Sequence, residues 1–203
     1  MAHDHLTDLA LIEARLVGSL ANVDDADSAA ISAVLVAIST VDGLPSVLLT
    51  RRSATLRNNA GDVSFPGGRR DAGESVVQAA IREAHEEVSL VATHDNVRGL
   101  LASAVAARRE ISIAPVVAVV ESFDGLVANP DEVDHVIVVP LAHLVSPGVH
   151  WCETWHREPF GEFVMHYFAI GDDLVWGATA FLLNDLLDRL ASPSLDSTTT
   201  DPH

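Results

Sequence analysis

Cysteine, basic residues and long apolar runs are all scarce in this chain. Cys152 is its one cysteine, which excludes an internal disulfide and a multi-cysteine zinc site. No stretch reaches the ~18 uninterrupted apolar residues that a spanning helix needs. The polar, acidic start, Met1 to Asp8, lacks the basic opening, apolar middle and small-residue cleavage site of a secretory signal. A soluble protein of a reducing cytoplasm is expected. Twelve basic residues face 29 acidic ones, a formal charge of −17. That argues against nucleic-acid or anionic-membrane partners, where a basic surface supplies most of the affinity. A phosphorylated small molecule stays open, provided that cations gather locally. With 48% hydrophobic residues over 203 positions, the chain has enough material for one sizeable core.

The pattern along the chain predicts a mixed α/β order. Apolar residues at helical spacing over 7–20 predict an N-terminal helix, followed by a polar linker at 21–29. The β-branched runs 31–39 and 46–51, joined at Asp42-Gly43, predict a hairpin. A short strand is expected at 62–66, ending at Pro66-Gly67-Gly68. The clearest helix is 76–89, opened by the capping-box pair Ser75 and Gln78. Further strands are expected near 97–104, 112–121, 134–139 and 162–170, and a last helix at 177–190 with apolar Phe181, Leu182, Leu186, Leu187 and Leu190. The domain reading is a helix and linker at 1–29, a main folded domain at 30–191 and a disordered tail at 192–203. Strands on both sides of a central helix suggest an α/β or α+β sandwich with a mixed sheet.

The chemistry is concentrated between Gly68 and Leu90. On the 76–89 helix, Glu83, Glu86 and Glu87 fall within a sector about 100° wide. Three carboxylates on one stripe repel one another, and a divalent cation with a preference for oxygen, such as Mg²⁺ or Mn²⁺, removes that penalty. A solvated acidic face would explain the glutamates alone. The apolar stripe Val77, Ile81, Ala84 and Val88 is expected on a different face. The wider spacing resembles the Nudix hydrolase box through Gly68, Glu74, Arg82, Glu83, Glu86 and Glu87. Six such identities coincide by chance on the order of once in ten million windows. Ala84 stands in for a larger aliphatic residue, and Ser89 replaces the family's glycine at the helix exit.

The resemblance implies a Nudix-fold α/β/α sandwich with a mixed β-sheet and an N-terminal helical extension. It also implies hydrolysis of a nucleoside diphosphate linked to another group. Glu83, Glu86 and Glu87 would hold Mg²⁺ or Mn²⁺, with Glu74 and Gly68 completing the metal set. Arg82 would orient the glutamates by ion pairing. Gly67 and Gly68 would let the backbone approach closely.

Just upstream, Arg51, Arg52 and Arg57 concentrate charge suited to phosphate, although an exposed basic loop would look the same. The run Leu48 to Gly68 resembles the signature that precedes the box in coenzyme A pyrophosphatases, matching at Leu48, Leu49, Thr50, Arg52, Ser53, Arg57, Gly61, Phe65, Pro66, Gly67 and Gly68. That resemblance implies coenzyme A as substrate, with 3′,5′-ADP and 4′-phosphopantetheine as products. The alternatives are another diphosphate such as ADP-ribose, a nucleoside triphosphate, or a module that binds nucleotide without cleaving it. Glu132, in a polar loop, is a candidate general base, and Asp134 a weaker one. His85 should point away from the metals. The cluster His150, Trp151, Cys152, Trp155 and His156 is read as core or interface more than as a ligand pocket, and Cys152 is not read as a nucleophile. Tyr167 and Phe168 are expected to alternate in a strand. The apolar content also admits a homodimer.

Overall fold

In the computed structural model, residues 4–23, 30–102, 104–106, 111–158 and 161–191 are described. The expected disordered tail at 192–203 lies outside them, as does most of the 21–29 linker. After a short 3-10 turn, α1 (Leu9–Ser19) leads to β1 (Ser32–Val41) and β2 (Leu44–Arg52). Asp42 and Gly43 both adopt positive φ, as the two-residue turn between these strands requires. Then come β3 (Val63–Ser64), β4 (Gly67–Arg69), α2 (Val76–Val88), β5 (Val97–Leu100), β6 (Ala104–Ala106), β7 (Ile111–Val119) and β8 (Val133–Pro140). The chain continues through α3 (Leu141–Leu144), β9 (His150–Arg157), β10 (Gly161–Ile170), β11 (Asp173–Val175) and α4 (Gly177–Ala191).

Strands β1 to β8 form one mixed sheet, with β1 and β7 parallel and its other pairings antiparallel. Alternation along β1 splits the core. Val36 and Ile38 join the cluster under α1 and α4, whereas Ala33, Leu35 and Ala37 join the cluster under α2. That is an α/β/α sandwich, as expected. Strands β9 to β11 form a second, three-stranded antiparallel sheet, with β10 packed against α4.

Several details differ from the expectation. The N-terminal helix is woven into the core: Ile12 and Leu16 are fully buried with α4 residues. Arg15 donates to the Leu190 carbonyl and Arg189 to the Ser19 carbonyl, which locks α1 to α4. The aromatic cluster at 150–157 is a strand, and all eight of its residues are exposed, which removes the core reading. Tyr167 and Phe168 do alternate in β10 as expected, Phe168 entering the core and the Tyr167 ring stacking on Trp151 on the opposite face. In α4, Leu183 is buried, whereas Phe181 is exposed. Gly67 and Gly68 lie in a strand, β4, paired with β1, where their lack of side chain hides any β signal.

Ser89 ends α2 in the left-handed conformation, φ 56° and ψ 25°, with its amide donating to the His85 carbonyl and the Leu90 amide to the Ala84 carbonyl. This is the geometry that favours glycine. Ser89→Gly is therefore expected to stabilise the protein by about 1 kcal/mol in denaturant titration, with unchanged activity. Equal midpoints for the two proteins would refute the assigned strain.

Candidate active site

Helix α2 starts where Ser75 accepts the Gln78 amide at 3.1 Å and Gln78 accepts the Ser75 amide at 2.8 Å. The expectation of one buried face understates the helix. Val76, Val77, Ala79, Ala80, Ala84, Glu87 and Val88 are all buried. Val76, Ala79 and Ala80 share the angular sector of Glu83 and Glu87, so the acidic side faces the glycine strand β4 and its neighbour β1. Two missing side chains allow that approach. A Cβ on Gly67 would lie 2.4 Å from the Ala33 carbonyl oxygen and 2.6 Å from Val34 Cα. A Cβ on Gly68 would lie 2.4 Å from the Glu83 carboxylate.

Arg82 is the electrostatic hub. It holds both oxygens of Glu74, at 2.9 and 3.0 Å, Glu83 at 2.9 Å and Glu86 at 3.1 Å. It also donates to the Arg69 carbonyl at 3.1 Å, which ties the helix to β4. The Arg82 hydrogen bond, helped by the Asp71 amide, lowers the Glu74 pKa against the opposing cost of burial. Arg70 fixes the intervening loop by donating to the carbonyls of Glu74 and Ala30. Burial raises the Glu83 pKa, and repulsion from Glu86 and Glu132 adds to it, against the pull of Arg82.

Glu87 differs from its neighbours. Its side chain is 2% exposed, against 53% for Glu86. Burial, with repulsion from Glu132 and Glu83, pushes its pKa up to about 7, although Arg52 and the Gly67 amide oppose the shift. Arg52 sits 3.7 Å from one carboxylate oxygen, and the Gly67 amide donates to the other at 3.2 Å. Glu132, partly exposed, is positioned by backbone bonds: the Asn129 amide donates to the Glu87 carbonyl, and the Ser53 amide to the Glu132 carbonyl, both at 2.8 Å. Chain segments distant in sequence thus bring Arg52, Glu83, Glu87 and Glu132 together.

The NUDIX domain family model matches residues 30–163, which contain this whole arrangement. The chain is a Nudix hydrolase. It is 33% identical over 183 residues to Nudix hydrolase 3 of Caenorhabditis elegans, covering 83% of this chain and 76% of that protein. It is 38% identical over 168 residues to mitochondrial coenzyme A diphosphatase NUDT8 of Homo sapiens, covering 79% and 69%. Among solved structures, a MutT/nudix family protein from Enterococcus faecalis superposes with a TM-score of 0.59 at 18% identity, over 82% of this chain and 63% of that one, which supports the fold.

Nudix hydrolases are pyrophosphohydrolases that use divalent metal ions, and the residues here suit such an ion. The donors are hard carboxylate oxygens, one of them buried and short of positive charge. Among the described residues, no three histidine, cysteine, aspartate or glutamate side chains converge as a ready cage. Arg82 draws Glu83 and Glu86 toward itself, and both Glu74 oxygens are taken by that arginine. Arg82 is therefore the shared counter-charge that holds Glu83 and Glu86 in this arrangement.

The other expected residues disperse. Arg51 pairs with Asp173 of β11, which also accepts from His135 Nε2 at 3.0 Å. Burial opposes ionisation of Asp173, but Arg51 and His135 outweigh it and lower its pKa. Asp134 and Asp173 raise the His135 pKa through hydrogen bonds. Asp173 and His135 carried no signal in the sequence: the first opens strand β11 just after the Gly171-Asp172 turn, and the second lies within β8. Arg57 is exposed on the loop, Asp134 is exposed beside His135, and His85 is exposed on α2.

Proposed function

We propose that this Nudix hydrolase cleaves the diphosphate of coenzyme A or an acyl derivative, releasing 3′,5′-ADP and 4′-phosphopantetheine with Mg²⁺ or Mn²⁺. The observation that carries the reading is the unbroken Leu48–Gly68 signature, which delivers Arg52 to 3.7 Å from Glu87 at the centre of the box. The name of the human relative supports the same substrate. Glu83, Glu86 and Glu87 would hold the metal, with the Gly68 strand against them. Bound divalent ions neutralise a diphosphate and lower the pKa of a coordinated water. Arg82 and Glu74 are positioning residues, one fixing the glutamates and the other fixing Arg82. Arg52, with Arg51 and Arg57 nearby in sequence, supplies cationic partners for phosphate oxygens, and Gly67 contributes close backbone approach. Glu132, held beside Glu83 and Glu87, takes the proton from the attacking water, and no covalent enzyme intermediate forms.

The test is product chromatography after incubation with Mg²⁺ or Mn²⁺ and a panel of coenzyme A, ADP-ribose and nucleoside triphosphates. Formation of 3′,5′-ADP from coenzyme A is expected. Turnover of ADP-ribose with none of coenzyme A would remove the substrate assignment.

A further inference from the structure

Among the described residues, the second sheet leaves one long strand with a neighbour on one side only. Among them, strand β9 is bonded to β10 alone, at the edge of the order β11-β10-β9. Its register with β10 runs unbroken from His150 opposite Phe168 to Arg157 opposite Gly161. Phe168 turns one face of this sheet into the core with α4. The opposite face carries Trp151, Glu153, Trp155 and Arg157 beside Tyr167, Met165, Phe163 and Gly161. Trp151 is 39% exposed and Trp155 43%.

Exposed edges are usually defended by lysine, proline, a bulge or a covering element. Strand β9 has no proline and no bulge, and the chain contains no lysine anywhere. Its two charges on the open face, Glu153 and Arg157, have opposite sign and flank Trp155 symmetrically. A two-fold axis perpendicular to the sheet keeps each face on its own side, so odd-numbered residues pair with odd-numbered ones. Centred on Trp155, such an axis places Glu153 opposite Arg157 of the partner subunit, twice, and pairs the two Trp155 side chains. An axis at Glu153 or Arg157 sets like charges opposite each other, and one at Thr154 leaves both charges facing tryptophans. Opposite-charge and aromatic cross-strand pairs are the stabilising ones.

We propose that two copies of this chain associate antiparallel along β9, across a two-fold axis at Trp155, merging their three-stranded sheets into one. The contact is closed by its symmetry, so it ends at a dimer and does not propagate into fibres.

Sedimentation equilibrium over a concentration series tests this at ~0.15 M salt, where repulsion between the two acidic chains is screened beyond about 8 Å. The parent chain is expected to reach twice its mass of 21.6 kDa. Glu153→Arg alone and Arg157→Glu alone each set like charges together and should weaken association by at least ~10-fold. The double reversal restores opposite pairs and should return affinity to within ~3-fold of the parent. Both residues are exposed, and thermal unfolding of each variant checks that the fold is kept. A parent that stays monomeric at ~100 μM, or a double reversal no tighter than the single ones, would overturn the proposal.

Discussion

Glu87→Gln should lose hydrolysis by ~10³-fold or more, beyond the ~10–100-fold typical of residues that only support a metal site. The same variant should gain stability when metal is absent, because Glu87 is 2% exposed and its carboxyl holds a proton up to about pH 7. In the unfolded chain that proton leaves near the ordinary value of 4.5. Between these two values the folded state binds more protons, so stability falls as pH rises through the window. Above pH 7 the full cost is present, on the order of 3 kcal/mol. Glutamine keeps the acceptor for the Gly67 amide and removes the charge. Part of the gain is offset because Arg52 loses its partner. Denaturant titrations in chelator at pH 5 and pH 8 should show a slope with pH in the parent that flattens in the variant. Identical slopes would mean that Glu87 is not the group that titrates. In the parent, saturating Mg²⁺ or Mn²⁺ should stabilise more at pH 8 than at pH 5, since the ion binds the deprotonated carboxyl.

Gly68→Ala is expected to lower kcat/KM by ~10²-fold with little change in melting temperature. The new methyl would overlap the Glu83 carboxylate, which lies at the end of a flexible side chain and can move aside. Moving it breaks the 2.9 Å contact with Arg82 and takes the carboxylate away from its proposed place at the metal. Gly67→Ala provides the contrast. There the methyl meets the backbone of Ala33 and Val34, so β4 must part from β1 and the protein should melt earlier. Calorimetric titration with Mn²⁺ separates the cases: Gly68→Ala should bind metal more weakly while folded. Full activity of Gly68→Ala would show that Glu83 works from elsewhere.

These two expectations mark where the sequence was readable and where it was not. Local signals transferred well. The Ser75–Gln78 capping box opens α2, the Asp42-Gly43 turn closes the β1–β2 hairpin, and Ser89 takes the left-handed exit that a glycine would have made easy. The box spacing located the glutamates but gave them equal standing. Their difference in burial comes from β4 and from the 129–133 turn, which cover Glu87 and leave Glu86 in solvent. Strand β9 escaped because none of its residues is buried, so no polar–apolar alternation marks it. Arg51 pointed to phosphate by composition, yet its partner Asp173 lies 122 residues away, a distance that spacing rules do not bridge.

The turn that carries Glu132 is fastened through main-chain atoms. The amides of Val127 and Asn129 donate to the carbonyls of Val88 and Glu87, and the Ser53 amide reaches the Glu132 carbonyl. Bonds of that kind do not read side-chain identity. Apart from Asn129, whose Oδ1 accepts the Asp131 amide at 3.2 Å, the segment should therefore tolerate exchange of its residues far better than a change in its length. A lineage could retune the proposed proton acceptor there, or an engineer could graft another, without rebuilding α2. A single inserted residue would pull the acceptor out of step with the glutamates.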